Sequence, residues 1–186
     1  MIAYYYFDTK DINKHNLWGL LASLVIQLGE KSVKFRSALS QLYTNCNNGS
    51  AKPNTAALKR CIQSMLELEG QRPIYIVIDA MDDCPNPTGP KSARKKVLIF
   101  VEELVRSRYS NLYICVTSSP EQDIKRTLNL LTPTLRIVEL HDEAGQKEDI
   151  KSYIRSFVKD NQETRTWTRD DQDLFVNTLS RRAYGK

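Results

Sequence analysis

Three carboxylates crowd the end of one apolar run: Ile74-Tyr-Ile-Val-Ile-Asp79 is followed at once by Asp82 and Asp83. An ionised aspartate buried without a partner carries a steep desolvation penalty, so Asp79 belongs at a strand's carboxyl end, in the crevice where open α/β sheets bind ligands. Like charges this close are tolerated in solvent or around a cation. One chemistry that suits them is a strand-end Asp holding Mg²⁺ through water, with the following acid positioning an attacking water. The other reading is plain structure, a strand that ends at Asp79 and a turn that runs through Asp82 and Asp83 to Pro85. A hydrolytic metal site built on all three lacks the histidine or further acid that would complete it.

A second segment, Leu112-Tyr-Ile-Cys-Val-Thr-Ser-Ser-Pro120, repeats the pattern with hydroxyls. It delivers Thr117, Ser118 and Ser119 to a strand's carboxyl end, either as a turn or, beside the acidic strand, where a sheet would put a phosphate sensor. His141 follows a further apolar run as a lone imidazole, His15 precedes a helix as an exposed one, and no Ser/His/Asp or Cys/His set has the context of a nucleophile.

The elements that must position these groups alternate. Ile2–Phe7, Ile74–Ile78, Leu112–Val116 and Leu135–Leu140 read as strands. In the second and third the apolar residues run continuously, which predicts burial on both faces of a parallel sheet. Between them, Leu17, Leu20, Leu21, Leu24, Val25 and Leu28 lie on one helical face, as do Leu58, Ile62, Met65 and Leu66 after Thr55 as N-cap. Val97, Phe100, Val101, Leu104 and Val105 make a third face, and Ile150, Tyr153, Ile154, Phe157 and Val158 a fourth. Thr168 and Asp171 form a capping box ahead of Leu174, Phe175 and Leu179; Trp167 staples that helix and Trp18 joins the core. Asn45–Asn54 and Pro85–Ser92 are loops. Strands alternating with helices predict a doubly wound α/β layer.

Composition narrows the class. The 186 residues are 41% hydrophobic and 26% charged, as in an ordinary globular domain. The apolar stretch Leu17–Leu28 is too short to span a membrane, and no secretory signal opens the chain. Cys46, Cys61, Cys84 and Cys115 lie far apart, which predicts reduced thiols in a cytoplasmic protein and no zinc site. The net charge is +5, and its densest cluster, Lys91, Arg94, Lys95 and Lys96, reads as a solvated loop without the interleaved aromatics of a nucleic-acid surface.

Taken together the segments resemble a known family. Ile74-Tyr-Ile-Val-Ile-Asp-Ala-Met-Asp-Asp-Cys-Pro85 is similar to the Walker B block of fungal NACHT proteins, STAND-class P-loop NTPases whose domain is also described as nephrocystin-3-like N-terminal. Leu112–Ile124 resembles that family's sensor 1 strand and following helix, and Tyr4–Asp8 with Leu17–Leu28 its second strand and long helix. Glu139–Glu143, Asp149-Ile150 and Leu179–Gly185 resemble the passage from the NTPase core toward a small helical region. The resemblance implies an α/β fold: a doubly wound, mostly parallel sheet of the P-loop NTPase type, with residues 1–143 as a partial core and 144–186 as a helical segment leading out of it. It implies Mg²⁺ with ATP or GTP as cofactors, Asp79 holding the Mg²⁺ through water, Asp83 positioning water and Ser118 sensing phosphate. Partners would be other proteins or other parts of a longer multidomain chain, with oligomerisation open and neither nucleic acid nor membrane involved.

The departures from the pattern matter as much. The family's GxxxxGK[ST] loop belongs before Ile2–Phe7 and is absent; Gly29 with Lys31, and Gly185 with Lys186, lack its spacing. Asp83 stands where Glu is usual, and Ser119 where Arg is usual. A neutral hydroxyl does not replace a guanidinium facing a terminal phosphate. The family's first strand lies between the sensor strand and the one matching Leu135–Leu140, so its loss predicts unpaired strand edges. The expectation is a piece of a longer signalling switch, unable to hydrolyse nucleotide by itself, with a non-catalytic interaction module as the alternative.

Overall fold

The computed structural model describes residues 1–11, 14–68, 70, 72–86, 92–131, 136, 138 and 144–183. These divide between two compact units, Met1–Leu135 and Arg136–Lys186. The first unit runs β1 (Ile2–Tyr6), α1 (Leu17–Lys31), α2 (Val33–Asn45), α3 (Thr55–Leu66), β2 (Ile74–Asp79), α4 (Ala93–Arg106), β3 (Leu112–Val116) and α5 (Gln122–Asn129). Its sheet is parallel throughout in the order β1-β2-β3, with Ile2 opposite Tyr75 and Ile74 opposite Leu112. It is therefore a mixed α/β fold around a small parallel sheet. The expected strand 135–140 and His141 lie outside the described residues, apart from Arg136 and Val138.

One face of the sheet makes the core. Ala3, Tyr5 and Phe7, then Ile74, Ile76 and Ile78, pack against Leu20, Leu21, Leu24 and Leu28 of α1, Ile62 and Met65 of α3, and Val97 and Val101 of α4. Fully burying an aliphatic side chain of this size is worth about 1.5–3 kcal/mol, so these layers hold the strands in place. The opposite face departs from the expectation of burial on both sides: Tyr4 is 58% exposed, Tyr75 45% and Tyr113 53%. Tyrosine and valine are apolar enough to make a run look continuous, so hydrophobicity did not reveal that alternate residues face outward. Tyr75 and Tyr113 cover each other by stacking, with ring centroids 5.0 Å apart. The outer edge of β1 is closed by an amide: the Tyr4 N–H donates to Gln27 Oε1 at 3.0 Å, and Gln27 Nε2 donates to the Tyr4 carbonyl at 2.7 Å.

Caps set the helix starts. Asn16 caps α1 and Ser92 caps α4. The cap of α3 is Asn54, whose Oδ1 accepts from the Ala57 N–H at 2.8 Å, and not Thr55, which is the first helical residue. Helix α2 occupies a stretch whose apolar pattern is weak: Phe35 is fully buried, yet Val33 is 80% exposed. It follows α1 after the single extended residue Ser32 and folds back on it. The approach is close, since a Cβ on Gly29 would meet Leu39 Cδ2 at 2.8 Å. Gly29 thus has a packing role. Trp18 is half-buried and donates from its indole to the Pro53 carbonyl at 2.7 Å.

The second unit holds α6 (Ala144–Asp160), a 3₁₀ turn (Thr164–Thr166) and α7 (Arg169–Ala183). Ile154, Val158 and Val176 form its small core, while Tyr153 and Leu174, expected on buried faces, are 73% and 67% exposed. With so few elements packing together, only the centre of each apolar stripe finds cover. Thr168 caps α7 as expected, its Oγ accepting from the Asp171 N–H at 3.3 Å, and Trp167 packs edge-on against Phe175. Among the described residues no helix is long and apolar enough to cross a membrane.

Candidate functional site

Because β2 and β3 run parallel, their carboxyl ends lie side by side and bring together two of the loops that carry polar groups. Asp79, the last residue of β2, is exposed, and its Oδ1 accepts a hydrogen bond from the Thr117 hydroxyl. The Thr117 oxygen in turn accepts from the Ala80 N–H at 3.1 Å. The Thr117 backbone continues the ladder, its N–H donating to Ile78 at 2.9 Å and its carbonyl accepting from Met81 at 3.0 Å. Ala80 makes this geometry at φ 52°, ψ 50°, a left-handed conformation costly for a residue with a Cβ. The reversal turns the chain sharply into a 3₁₀ turn, Met81–Asp83.

That turn separates the acids. Met81 and Cys84 point into the core, while Asp82 and Asp83 are half-buried. Burial pushes the Asp82 carboxyl up, but hydrogen bonds from the Ser119 hydroxyl and N–H, its own backbone N–H and the charge of Arg94 together hold it below its usual range. The Ser118 hydroxyl donates to the adjacent Ser119 carbonyl at 2.6 Å. Among the described residues no group of three or more His, Cys, Asp or Glu comes together to hold a metal ion, so Asp79, Asp82 and Asp83 do not form a shared cage. A lone carboxylate acting on a hydrated Mg²⁺ requires no such cage.

The group that organises this end of the sheet is one the sequence reading assigned to a solvated loop. Arg94 is buried, 8% exposed, in the first turn of α4. Its Nε donates to the Cys84 carbonyl at 2.9 Å, its Nη2 to the Asp82 carbonyl at 2.6 Å, and its Nη1 to Asp123 Oδ1 at 3.2 Å. Glu121 Oε2 lies 3.8 Å from Nη1. Asn86 extends the cluster, donating to Asp123 Oδ2 at 2.9 Å and accepting from Ser92 Oγ at 2.7 Å. The available signal was helical phase: Arg94 precedes Val97 and Leu98 by three and four residues, which places it on their buried face.

Beneath the turn, burial pushes the Cys84 thiol up to about 12, against a smaller opposing pull from Arg94. Burial likewise raises the Tyr5 phenol to about 12, assisted by the nearby Cys84 and Asp11. His15 Nε2 is buried with no hydrogen-bond partner among the described residues, and its backbone carbonyl accepts weakly from Cys84 Sγ at 3.8 Å.

No curated protein and no solved structure matches the chain. A family of known sequence signature does match, over residues 1–119, the stretch that contains β1, β2 and β3 and both polar strand ends. By that match the chain belongs to the nephrocystin 3, N-terminal family.

Proposed function

We propose that this chain is part of a nucleotide-switch domain of the NACHT/STAND class of P-loop NTPases, with Asp79 as the remnant of its Mg²⁺-binding strand end. The observation that supports the reading is the pairing of an exposed strand-end carboxylate with the hydroxyl loop of the neighbouring parallel strand, Asp79 with Thr117. In this reading Asp79 engages a hydrated Mg²⁺ carried by ATP or GTP, Asp83 orients water, and Ser118 lies beside the phosphates. The carboxylate half fits a hydrated cation, since Thr117 engages one oxygen and the side chain is exposed. The phosphate half fits poorly. The Ser118 hydroxyl is bound to Ser119, and the Arg94 guanidinium is buried and engaged with Cys84, Asp82 and Asp123. Hydrolysis by these residues alone is therefore not expected, and the setting is a cytoplasmic, multidomain signalling protein that works through protein partners. Isothermal titration with Mg²⁺-ATP and Mg²⁺-GTP tests this, with no micromolar binding expected; micromolar binding overturns the inert part of the reading.

A second reading, an interaction module without nucleotide, is favoured by the tyrosine-rich sheet face of Tyr4, Tyr6, Tyr75 and Tyr113. Aromatic residues with a polar tip are enriched at interfaces. Asp79→Ala separates the two, because a pure scaffold keeps its partner binding and a module that works through Asp79 loses it.

A further inference from the structure

We infer that Arg94 is a positioning residue that ties the acidic turn after β2 to helix α5, so that the two move as one body. Its guanidinium bridges two places in the chain that are far apart in sequence, the turn at Asp82 and Cys84 and the start of α5. Two donors hold the carbonyls of Asp82 and Cys84, which fixes the turn, and a third reaches Asp123 in the first turn of α5. The planar fork suits this task, because it sends donors in fixed directions that a lysine ammonium does not reproduce. Burial of the side chain, 9% exposed, keeps water from competing for the carbonyls. Asp123 has one other link to the segment after β2, through Asn86 Nδ2. A displacement of α5 is thus passed to the turn through the Arg94 cation, beside the neutral link through Asn86. The inference stands apart from the nucleotide reading, because the bridge requires no ligand at the strand ends.

The thiols of the chain supply the test. Cys84 is buried under the turn, Cys61 is buried elsewhere in the core with Sγ on the Ala38 carbonyl, and Cys115 is exposed. A buried thiol is alkylated only when its surroundings open, so its rate reports local opening. The full chain is treated with iodoacetamide under native conditions, and each cysteine is followed by peptide mass spectrometry. Asp123→Ala, a change on α5, is expected to raise the Cys84 rate by roughly threefold to tenfold, the scale of losing one charge-assisted contact. Cys61 should keep its rate, Asp123→Glu should return Cys84 close to the parent rate, and Asn86→Ala should leave it protected. An unchanged Cys84 rate in Asp123→Ala overturns the inference. So does a matching rise at Cys61, which would mean general loosening, or an equal rise in Asn86→Ala, which would route the coupling through the asparagine.

Discussion

Replacing Arg94 by methionine asks how much of this domain's stability rests on a single buried cation. Methionine keeps most of the aliphatic stem against the core, so the change isolates the polar contacts. Two backbone carbonyls, those of Asp82 and Cys84, lose their donors. Leaving a buried acceptor unsatisfied costs about 1–3 kcal/mol, and the carbonyl at Cys84 is the better buried of the two. The pair with Asp123 adds less, about 0.5–1 kcal/mol, because that carboxylate is 37% exposed and water screens it. Part of the loss is recovered, since the guanidinium no longer has to be desolvated. The net expectation is a loss of about 2–4 kcal/mol, a large share of the 5–15 kcal/mol typical of a whole domain. Arg94→Lys should recover about half, because the ammonium reaches one acceptor well and not two. Urea unfolding followed by circular dichroism measures both variants. A loss under 1 kcal/mol for Arg94→Met would refute the reasoning and mean that water or neighbouring donors replace the guanidinium.

Other expectations follow from single contacts. Ser119→Ala removes a hydroxyl donor from Asp82, so the Asp82 carboxyl, followed by carbon NMR, should titrate at higher pH than in the parent. A carboxyl lowered in the folded state stabilises above its unfolded value of about 3.9 and loses that contribution as pH falls through the folded value. The parent should therefore keep its advantage over Ser119→Ala at pH 5–7 and lose it in strong acid. Asn54→Ala should cost about 0.5–2 kcal/mol as a lost cap, and Thr55→Ala under about 0.5 kcal/mol, both read from urea midpoints. In alkylation at pH 8 the exposed Cys115 should react first, while Cys61 and Cys84, pushed by burial to about 11 and about 12, should react far more slowly, through opening of their surroundings.

How much of this was legible in the sequence depends on what each residue's neighbours hide. The strands Leu112–Val116 and Ile74–Asp79 and the helix between them were readable because β-branched runs and helical apolar phases are local properties, whereas α5 was expected only from the family resemblance. That the sheet buries one face was not, because Tyr75 and Tyr113 look equally at home in a core or on a surface, and the decision lies with elements distant in sequence. Helix α2 escaped notice because α1 and α2 join through one residue, Ser32, with no glycine or proline to mark the turn. Asp79 could be placed at a strand end by desolvation alone, whereas its Thr117 partner is fixed by the register of β2 with β3, which periodicity does not encode. Arg94 sits in a basic cluster whose net charge suggests solvent, while its helical phase with Val97 and Leu98 places it on the buried face.

The contacts of the two carboxylates bear on what the strand ends do now. Asp79 gives one oxygen to the Thr117 hydroxyl while its side chain stays exposed, and Asp82 is lowered by donors from Ser119. Each acid thus has a donor from the neighbouring loop, which offsets part of its charge. Free Mg²⁺ should accordingly stabilise the fold very little. A site with a dissociation constant near 1 mM would add about 1.4 kcal/mol at 10 mM Mg²⁺ by linkage, so the expected gain is well under about 0.3 kcal/mol. Urea midpoints with and without Mg²⁺, and again with ATP added, decide the matter. A gain above about 1 kcal/mol in either case would show that these loops still grip a ligand, because only binding to the folded state produces it. Thr117→Val sharpens the comparison: if the hydroxyl competes with the cation for Asp79, its removal should raise the Mg²⁺ response, and if the hydroxyl merely joins the loops, the variant should lose stability equally with and without the ion.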